Sequence, residues 1–215
     1  MKNGFAQKVV YIPDGTVTLE GGLAIPEDAG SLVLFAHGSG SSRHSPRNKW
    51  VAEALHKEGL ATLLLDLLSK DEDRNYATRF DIDLLTRRLK VATEWLSHQP
   101  DTKSLVAGYF GASTGAAAAL MAAASLGRKI RAVVSRGGRP DLALASLSEV
   151  LAPTLLIVGG DDYQVIELNQ AAYKELRCEK QLAIVPGATH LFEEPGTLDE
   201  VARLASDWFK RYLTK

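Results

Sequence analysis

The sequence predicts an α/β fold in which about eight strands form a mostly parallel sheet with helices on both faces. Short apolar runs alternate with helical patterns along the chain, which is the order that parallel strands and their crossover helices produce. The runs are continuously apolar, as is typical of parallel strands buried on both faces. Two extended segments at the start of the chain flank a turn and predict an antiparallel hairpin that opens the sheet.

Composition and charge narrow the class of protein. The chain has 215 residues, of which 46% are hydrophobic and 24% charged, so we expect one domain over residues 1–215. A formal net charge of −1 argues against general nucleic-acid binding. The single cysteine, Cys178, cannot form an internal disulfide and suits a reducing cytosol. The polar segment Met1–Ala6 and the lack of a long apolar run predict a cytoplasmic protein without signal peptide or membrane span.

The N-terminal strands follow from turn and apolar signals. Pro13-Asp14-Gly15 is a turn signal, which predicts pairing between Gln7–Ile12 and Thr16–Ala24. The apolar runs Ser31–Ala36 and Leu60–Asp66 then predict two strands in the interior of the sheet.

Helices are predicted between these strands and the next one. Ser45-Pro46 supplies an N-cap and a first-turn proline for a helix that runs to Glu58 and stops at Gly59. The charged segment Leu67–Arg79 predicts a loop. Apolar residues spaced three and four apart then predict a helix that Gln99-Pro100 ends. These apolar positions are Ile82, Leu85, Leu89, Ala92 and Leu96.

The C-terminal half repeats the alternation. Ser104–Phe110 is predicted as a strand that leads to Ser113, and the helix beyond is apolar nearly all round, which predicts burial. Thr197 and Glu200 predict a capping box at the start of a closing helix. The other predicted elements are the strands Ile130–Ser135, Thr154–Val158 and Gln181–Val185 and the helix Val165–Leu176.

The segment Gly111-Ala112-Ser113-Thr114-Gly115 has the G-x-S-x-G spacing of a nucleophile elbow. A serine on so sharp a strand-to-helix turn lies in strained backbone, and its neighbours two residues away must lack a Cβ. The N-terminus of the next helix directs N–H groups at any anion that forms there. The pentapeptide alone is a weak signal, since a glycine-flanked turn also lets a helix pack close to a sheet. An acid and a histidine later in the chain strengthen it.

Loops at the carboxyl ends of parallel strands line the functional crevice of an open sheet. Here they contain His37–Gly40, Ser113, Asp161-Asp162 and His190. The order serine, aspartate, histidine is that of α/β-hydrolases. With Val165 three residues beyond Asp162, the chain resembles the small dienelactone-hydrolase-like branch of the α/β-hydrolases, which has no separate cap domain. The resemblance extends from the opening hairpin to the closing helix.

One departure bears on the chemistry. Dienelactone hydrolases proper use a cysteine nucleophile, whereas this chain has Ser113 at the elbow and its one cysteine before the last strand. This departure favours a serine esterase that cleaves a small ester, with thioesters and lactones as variants of the same chemistry. Ser113 needs a base, and His190 is the candidate that takes its proton and returns it to the leaving group. The resemblance implies Asp162 as the orienting acid, with Asp161 as the alternative.

The remaining predicted site residues concern the oxyanion and the substrate. Backbone N–H groups of Ser39 and Thr114 are the expected oxyanion hole. Arginines near the strand ends suit bidentate binding of a carboxylate or phosphate, which favours an anionic substrate. The alternative is that they pair with Asp81, Asp141, Glu193 or Glu194. His37 is expected chiefly to brace the oxyanion loop. The predicted substrate-binding residues are His37, Gly38, Gly40, Arg43, Arg47, Arg136 and Arg139.

Partners and rival functions follow from the same residues. No histidine pair has metal-ligand spacing, so we expect no metal and no cofactor. The expected partner is a small-molecule substrate. We expect neither a nucleic acid nor a membrane as a partner, and a homodimer is left as an alternative to a monomer. A nucleotide-dependent enzyme could use Gly38–Gly40 with Asp66, but Arg43 stands where a third glycine belongs. A non-catalytic receptor on the same fold is the other alternative.

Overall fold

The computed structural model describes residues 7–214 and contains one sheet of eight strands. Met1–Ala6, which entered the signal-peptide prediction, lies outside the described residues, as does Lys215. The strands are β1 (Lys8–Asp14), β2 (Val17–Ala24), β3 (Ser31–Ala36), β4 (Ala61–Leu65), β5 (Val106–Ala112), β6 (Ile130–Arg136), β7 (Thr154–Gly159) and β8 (Lys180–Val185). The α-helices are α1 (Pro46–Lys57), α2 (Lys70–Asp73), α3 (Ile82–His98), α4 (Thr114–Leu126), α5 (Tyr163–Glu175) and α6 (Thr197–Leu213).

The strand order across the sheet is β1-β2-β4-β3-β5-β6-β7-β8. Strand β2 pairs antiparallel with β1 and with β4, whereas every pair from β4 through β3 to β8 is parallel. All residues of β3, β4 and β7 are buried, which explains their continuous apolar sequence. The predicted α/β-hydrolase fold, a mostly parallel sheet with an antiparallel opening hairpin, is therefore confirmed.

Helices cover both faces of the sheet. Neighbouring residues of β3 point to opposite faces, so Leu34 packs with α3 and α4 whereas Phe35 packs with α1 and α6. Alanines at the sheet-facing side of α4 are fully buried and allow that helix to approach the strands closely. This layering holds the carboxyl ends of β3, β5, β6, β7 and β8 at one edge, where the loops that carry the candidate site begin.

The predicted loop between Leu67 and Arg79 contains the short helix α2, so that prediction was wrong. Ser69 and Glu72 form a reciprocal capping box, which the run of charges in the sequence concealed. Glu72 also accepts a hydrogen bond from Arg88, whose side chain is 3% exposed on α3. Three 3₁₀ segments in the described chain were likewise not predicted, Thr78–Phe80, Gly127–Lys129 and Pro140–Glu149.

The predicted capping box of the closing helix is also wrong. Gly196, with φ of 80°, occupies the N-cap position, and Thr197 lies inside α6. The Thr197 hydroxyl donates to the Glu194 carbonyl at 2.7 Å. Glu200 pairs with Arg203 instead of reaching back to the cap. The left-handed backbone at Gly196 turns the chain into the helix one residue earlier than the pattern predicts.

Candidate active site

Ser113 lies at the turn between β5 and α4 with φ of 51° and ψ of −122°. Positive φ is rare for a residue with a side chain and indicates strain that the surroundings enforce. The flanking glycines are sterically required. A Cβ on Gly111 would lie 2.4 Å from the Ala116 Cα, and one on Gly115 would lie 2.2 Å from the Ala36 carbonyl oxygen. The elbow geometry expected from the spacing is therefore present, and it exposes Ser113 at the edge of the sheet.

Asp162 and His190 meet beyond the carboxyl ends of β7 and β8. The Nδ1 atom of His190 and Oδ2 of Asp162 are 2.7 Å apart. Asp162 occupies the N-cap position of α5, yet its side chain makes no capping bond and turns to the imidazole instead. Because the carboxylate is an acceptor, Nδ1 carries the hydrogen and Nε2 keeps its lone pair in the neutral ring. The neighbouring Asp161 uses its backbone N–H on the Ala188 carbonyl, at 2.9 Å.

A cleft of about 200 Å³ lies over Ser113, and Ser113 and His190 both line it. Within residues 7–214 no direct hydrogen bond joins these two side chains. Catalytic hydrogen bonds are often long before substrate binds and shorten in the reactive complex. The structure therefore places both side chains on one cleft.

Several residues that line the cleft were not predicted. The polar ones are Ser41, Ser45 and Asn48, and Leu191 adds an apolar wall. Ser45 also accepts the backbone N–H of Asn48 at 3.3 Å, which is the capping bond that the sequence indicated. The position of Asn48 in the first helical turn after the oxyanion loop could have indicated a site residue. Whether its side chain faces the cleft, however, depends on how α1 packs.

The loop after β3 is held against the elbow. His37 is 6% exposed, its Nδ1 bonds to the Gly38 carbonyl at 2.9 Å, and its Nε2 accepts the Leu67 N–H at 3.1 Å. Burial lowers the pKa of His37, so the ring is neutral and one tautomer satisfies both bonds. A Cβ on Gly38 would lie 2.9 Å from the Ser113 Cβ. His37 and Gly40 are not among the residues that line the Ser113 cleft, whereas Gly38 and Ser39 are.

The Ser39 N–H, one of the two expected oxyanion donors, donates to Oγ1 of Thr114 at 2.9 Å. Thr114 is the first residue of α4 and is 2% exposed. Its backbone N–H belongs to the first turn, where helical N–H groups have no partner within the helix.

Three of the four predicted arginines are paired. Arg43 bonds to Asp66 and, at 2.7 Å, to Glu20, and it lies outside the Ser113 cleft. Arg47 pairs with Glu193 at 2.9 Å, and Arg139 pairs with Asp141 at 2.8 Å. The last two pairs are ones that the alternative interpretation named.

Arg136, at the end of β6, differs from the other three. It is 8% exposed and lines the Ser113 cleft, and among the described residues its Nε and Nη1 atoms are buried without a hydrogen-bond partner. Its guanidinium lies 5.9 Å from the centre of the Phe192 ring. Burial, together with the nearby charge of Arg47, lowers the pKa of Arg136 to about 10. The side chain therefore stays cationic at neutral pH, and no acidic residue of the described chain lines the same cleft.

Comparison with known proteins shows the family. The model of the dienelactone hydrolase family matches residues 19–214. The chain belongs to the dienelactone hydrolase family. A dienelactone hydrolase of Anabaena variabilis, known from a crystal structure, is 57% identical, with a TM-score of 0.94 over 96% of this chain and 98% of that one. The family match thus includes every loop of the candidate site.

Two further similarities qualify the assignment. The esterase Est1E of Butyrivibrio proteoclasticus superposes with a TM-score of 0.83 over 96% of this chain and 99% of its own, and its 17% identity shows the shared fold alone. A proposed phosphoribosyl transferase of Mycobacterium tuberculosis is 61% identical over 204 residues, which are 95% of this family member. The chain spans only 46% of that relative's length.

Residues 7–214 also bear on metal binding and on membrane spans. In that range no group of three or more histidine, cysteine or acidic side chains is placed to hold a metal ion. None of the helices described there has both the length and the apolar character to cross a lipid bilayer.

Proposed function

We propose that the chain is a serine hydrolase that cleaves small esters through an acyl-enzyme on Ser113. The observation that carries the proposal is the 2.7 Å contact between His190 and Asp162, on the same cleft as a strained serine. His190 serves as the base and Asp162 as the acid that orients it. The same chemistry extends to thioesters and lactones.

The reaction follows from these roles. The Ser113 Oγ attacks the carbonyl carbon while Nε2 of His190 takes the hydroxyl proton, and the carbonyl π electrons move to oxygen. The oxyanion collapses, the C–O bond to the alcohol breaks, and His190 returns the proton to the departing oxygen. Water then attacks the acyl-enzyme in the same way, which releases the acid and restores Ser113. Asp162 stabilises the imidazolium that forms in both steps.

The size of the cleft supports a short acyl group. Its volume of about 200 Å³ is below the range of roughly 300–1,000 Å³ that pockets for drug-sized ligands occupy. Serine and asparagine side chains on its wall suit polar parts of such a substrate.

We also propose that the preferred ester carries a negative charge that pairs with Arg136. A buried cation without a carboxylate partner is costly unless a ligand supplies one. A carboxylate or phosphate group of the substrate fits that need, since both match the guanidinium fork. Arg47 lines the same cleft and adds positive charge, although Glu193 already pairs with it.

The test of the hydrolase uses Ser113→Ala with Ser42→Ala as a matched control, because Ser42 lies outside the Ser113 cleft. The wild type is expected to hydrolyse p-nitrophenyl acetate and to be labelled by a fluorophosphonate. Ser113→Ala should lose both properties, and Ser42→Ala should keep them. Hydrolysis that survives Ser113→Ala would contradict the proposal, and labelling without turnover would favour the receptor.

The test of the anionic preference compares Arg136→Met with Arg139→Met. Arg139 offers the control because its side chain pairs with Asp141 and does not line the cleft. Arg136→Met should raise KM for a succinyl ester at least tenfold more than for the matching neutral ester, and Arg139→Met should affect both alike. Competitive inhibition by succinate or by inorganic phosphate distinguishes the two anions. Equal effects of the two variants would exclude Arg136 as the anion partner.

The name of the mycobacterial relative raises phosphoribosyl transfer as a second candidate. The glycine-rich loop is the only phosphate-binding pattern that the sequence offered for it. In the structure that loop lies against Ser113, and its Ser39 N–H is engaged by Thr114. Release of diphosphate from phosphoribosyl diphosphate by the purified chain would favour the transferase over the hydrolase.

A further inference from the structure

The hydrogen bond between the Ser39 N–H and Oγ1 of Thr114 changes how the oxyanion hole is built. An amide nitrogen carries one hydrogen, and this one is given to Thr114 at 2.9 Å. In the expected arrangement the same hydrogen points at the oxyanion. The backbone N–H of Thr114 would then be left as the single fully free donor, although such sites usually have two.

The Thr114 hydroxyl has a hydrogen to give. A hydroxyl accepts through its lone pairs and donates through its O–H, so accepting from Ser39 leaves the hydrogen of Oγ1 free. Within residues 7–214 that hydrogen is donated to no acceptor, and Thr114 is 2% exposed. The hydroxyl thus has one partner already, and its hydrogen remains available to a ligand beside the candidate nucleophile.

The position of the hydroxyl is restricted from two sides. Thr114 follows Ser113 directly at the start of α4, and the Gly38-Ser39 backbone lies against Ser113, with 2.9 Å between a Cβ on Gly38 and the Ser113 Cβ. A β-branched side chain has few χ1 rotamers in a helix, so the bond from Ser39 holds Oγ1 in place. Such a donor needs little reorganisation when the charge develops.

We propose that the Thr114 hydroxyl is a catalytic donor of the oxyanion hole. It accepts from the Ser39 N–H and donates to the oxyanion, while the Thr114 backbone N–H donates to the same oxygen. The Ser39 amide acts through the hydroxyl, because accepting one hydrogen bond strengthens the next one along the chain. No proton is transferred in this arrangement. The inference rests on the proposed serine hydrolase.

The experiment compares Thr114→Val with Thr114→Ser, using a p-nitrophenyl ester. Valine has nearly the shape of threonine and keeps the backbone N–H, whereas serine keeps the hydroxyl. We expect Thr114→Val to lower kcat by about 10²–10³ with little change in KM, as loss of one oxyanion donor does. Thr114→Ser should stay within about tenfold of the wild type, because only rotamer freedom is added. Affinity for a boronic acid, which forms a tetrahedral anion on Ser113, should fall in parallel with kcat.

The opposite result has a clear meaning. If the hydroxyl does no more than accept the Ser39 N–H, Thr114→Val leaves that N–H free to donate to the oxyanion. In that case kcat and the affinity for the boronic acid stay unchanged or rise. That outcome overturns the inference. If the hydroxyl only anchors the loop, Thr114→Val should lower the affinity for the boronic acid and for the planar product acid alike. That result would also overturn the inference. Should the valine variant not fold, Thr114→Ala replaces it in the comparison.

The dependence of activity on Ser113 distinguishes failure of the proposed serine hydrolase from failure of the Thr114 inference. Activity that persists in Ser113→Ala removes the serine hydrolase and this inference together. Activity that requires Ser113 but not the Thr114 hydroxyl removes only the present inference.

Discussion

Replacing Arg136 by methionine should stabilise the fold while removing the preference for anionic esters. The protein lowers the pKa of Arg136 from 12.5 to about 10, chiefly through burial. At about 1.36 kcal/mol per pH unit, this lowering corresponds to about 3 kcal/mol by which the folded state disfavours the charged form. Contact with the Phe192 ring returns about 0.5–1 kcal/mol, so the variant should gain about 2 kcal/mol in free energy of unfolding.

The sign of the effect follows from the two pKa values of Arg136. Because the folded value lies below the unfolded one, the unfolded chain holds the proton more tightly, and charge on Arg136 costs stability wherever both states are protonated. The gain in free energy of unfolding of Arg136→Met over the wild type should therefore be constant from pH 6 to pH 9. It should shrink only above the folded-state pKa of about 10. For a domain of this size about 2 kcal/mol corresponds to a rise of roughly 4–8 °C in Tm.

The assay is urea-induced unfolding of the wild type, Arg136→Met and Arg139→Met at neutral pH, followed by thermal unfolding with added succinate. Arg139→Met removes an ion pair with Asp141 and should give no gain. Succinate should raise Tm of the wild type and leave Arg136→Met unchanged. If Arg136→Met is instead destabilised by a similar amount, the guanidinium is a structural group, and the reasoning about an anion partner is refuted.

Three other changes test separate parts of the structure. Gly115→Ala places a methyl group 2.2 Å from the Ala36 carbonyl oxygen, so the elbow must shift, and both esterase activity and Tm should fall sharply. Asp162→Asn should lower kcat by about 10⁴ whereas Asp161→Asn stays within a few fold, and the reverse ranking would move the acid to Asp161. Since burial lowers the pKa of His37, the folded state favours the neutral ring, and stability should fall as the pH drops below 6.5. Denaturation of His37→Gln against wild type between pH 5 and pH 8 measures that contribution, and identical pH profiles would contradict it.

Elements with strong local signals could be predicted from the sequence. Ser31–Ala36 is a strand with the predicted bounds, because an apolar run of 6 residues is short for a buried helix and fits a strand buried on both faces. Ser45 caps α1 as expected, since its hydroxyl needs only the Asn48 N–H one turn away. The elbow at Ser113 could also be predicted from the sequence. Its two glycines stand where a Cβ would clash with neighbouring backbone, and their spacing is visible in the sequence.

Local patterns failed where two of them competed. Thr197 and Glu200 have capping-box spacing, yet Gly196 starts α6 with a left-handed backbone. Ser69 and Glu72 do form such a box inside a charged segment that indicated a loop. The same four-residue spacing thus occurs at both helices, and only Ser69 and Glu72 form the capping box.

The sequence by itself determined the strand and helix alternation and the strained serine turn, because both depend on residues close in the chain. It also gave the order of the candidate triad, which can be read along the chain without any knowledge of packing. Only the tertiary structure decided which arginine lacks a carboxylate and which group holds the Ser39 amide. Arg47 and Glu193 are 146 residues apart, and Ser39 and Thr114 are 75 apart. Charge pairing and hydrogen bonding act over a few ångströms in space, so the partners of such groups are settled only when the packed sheet brings distant loops together.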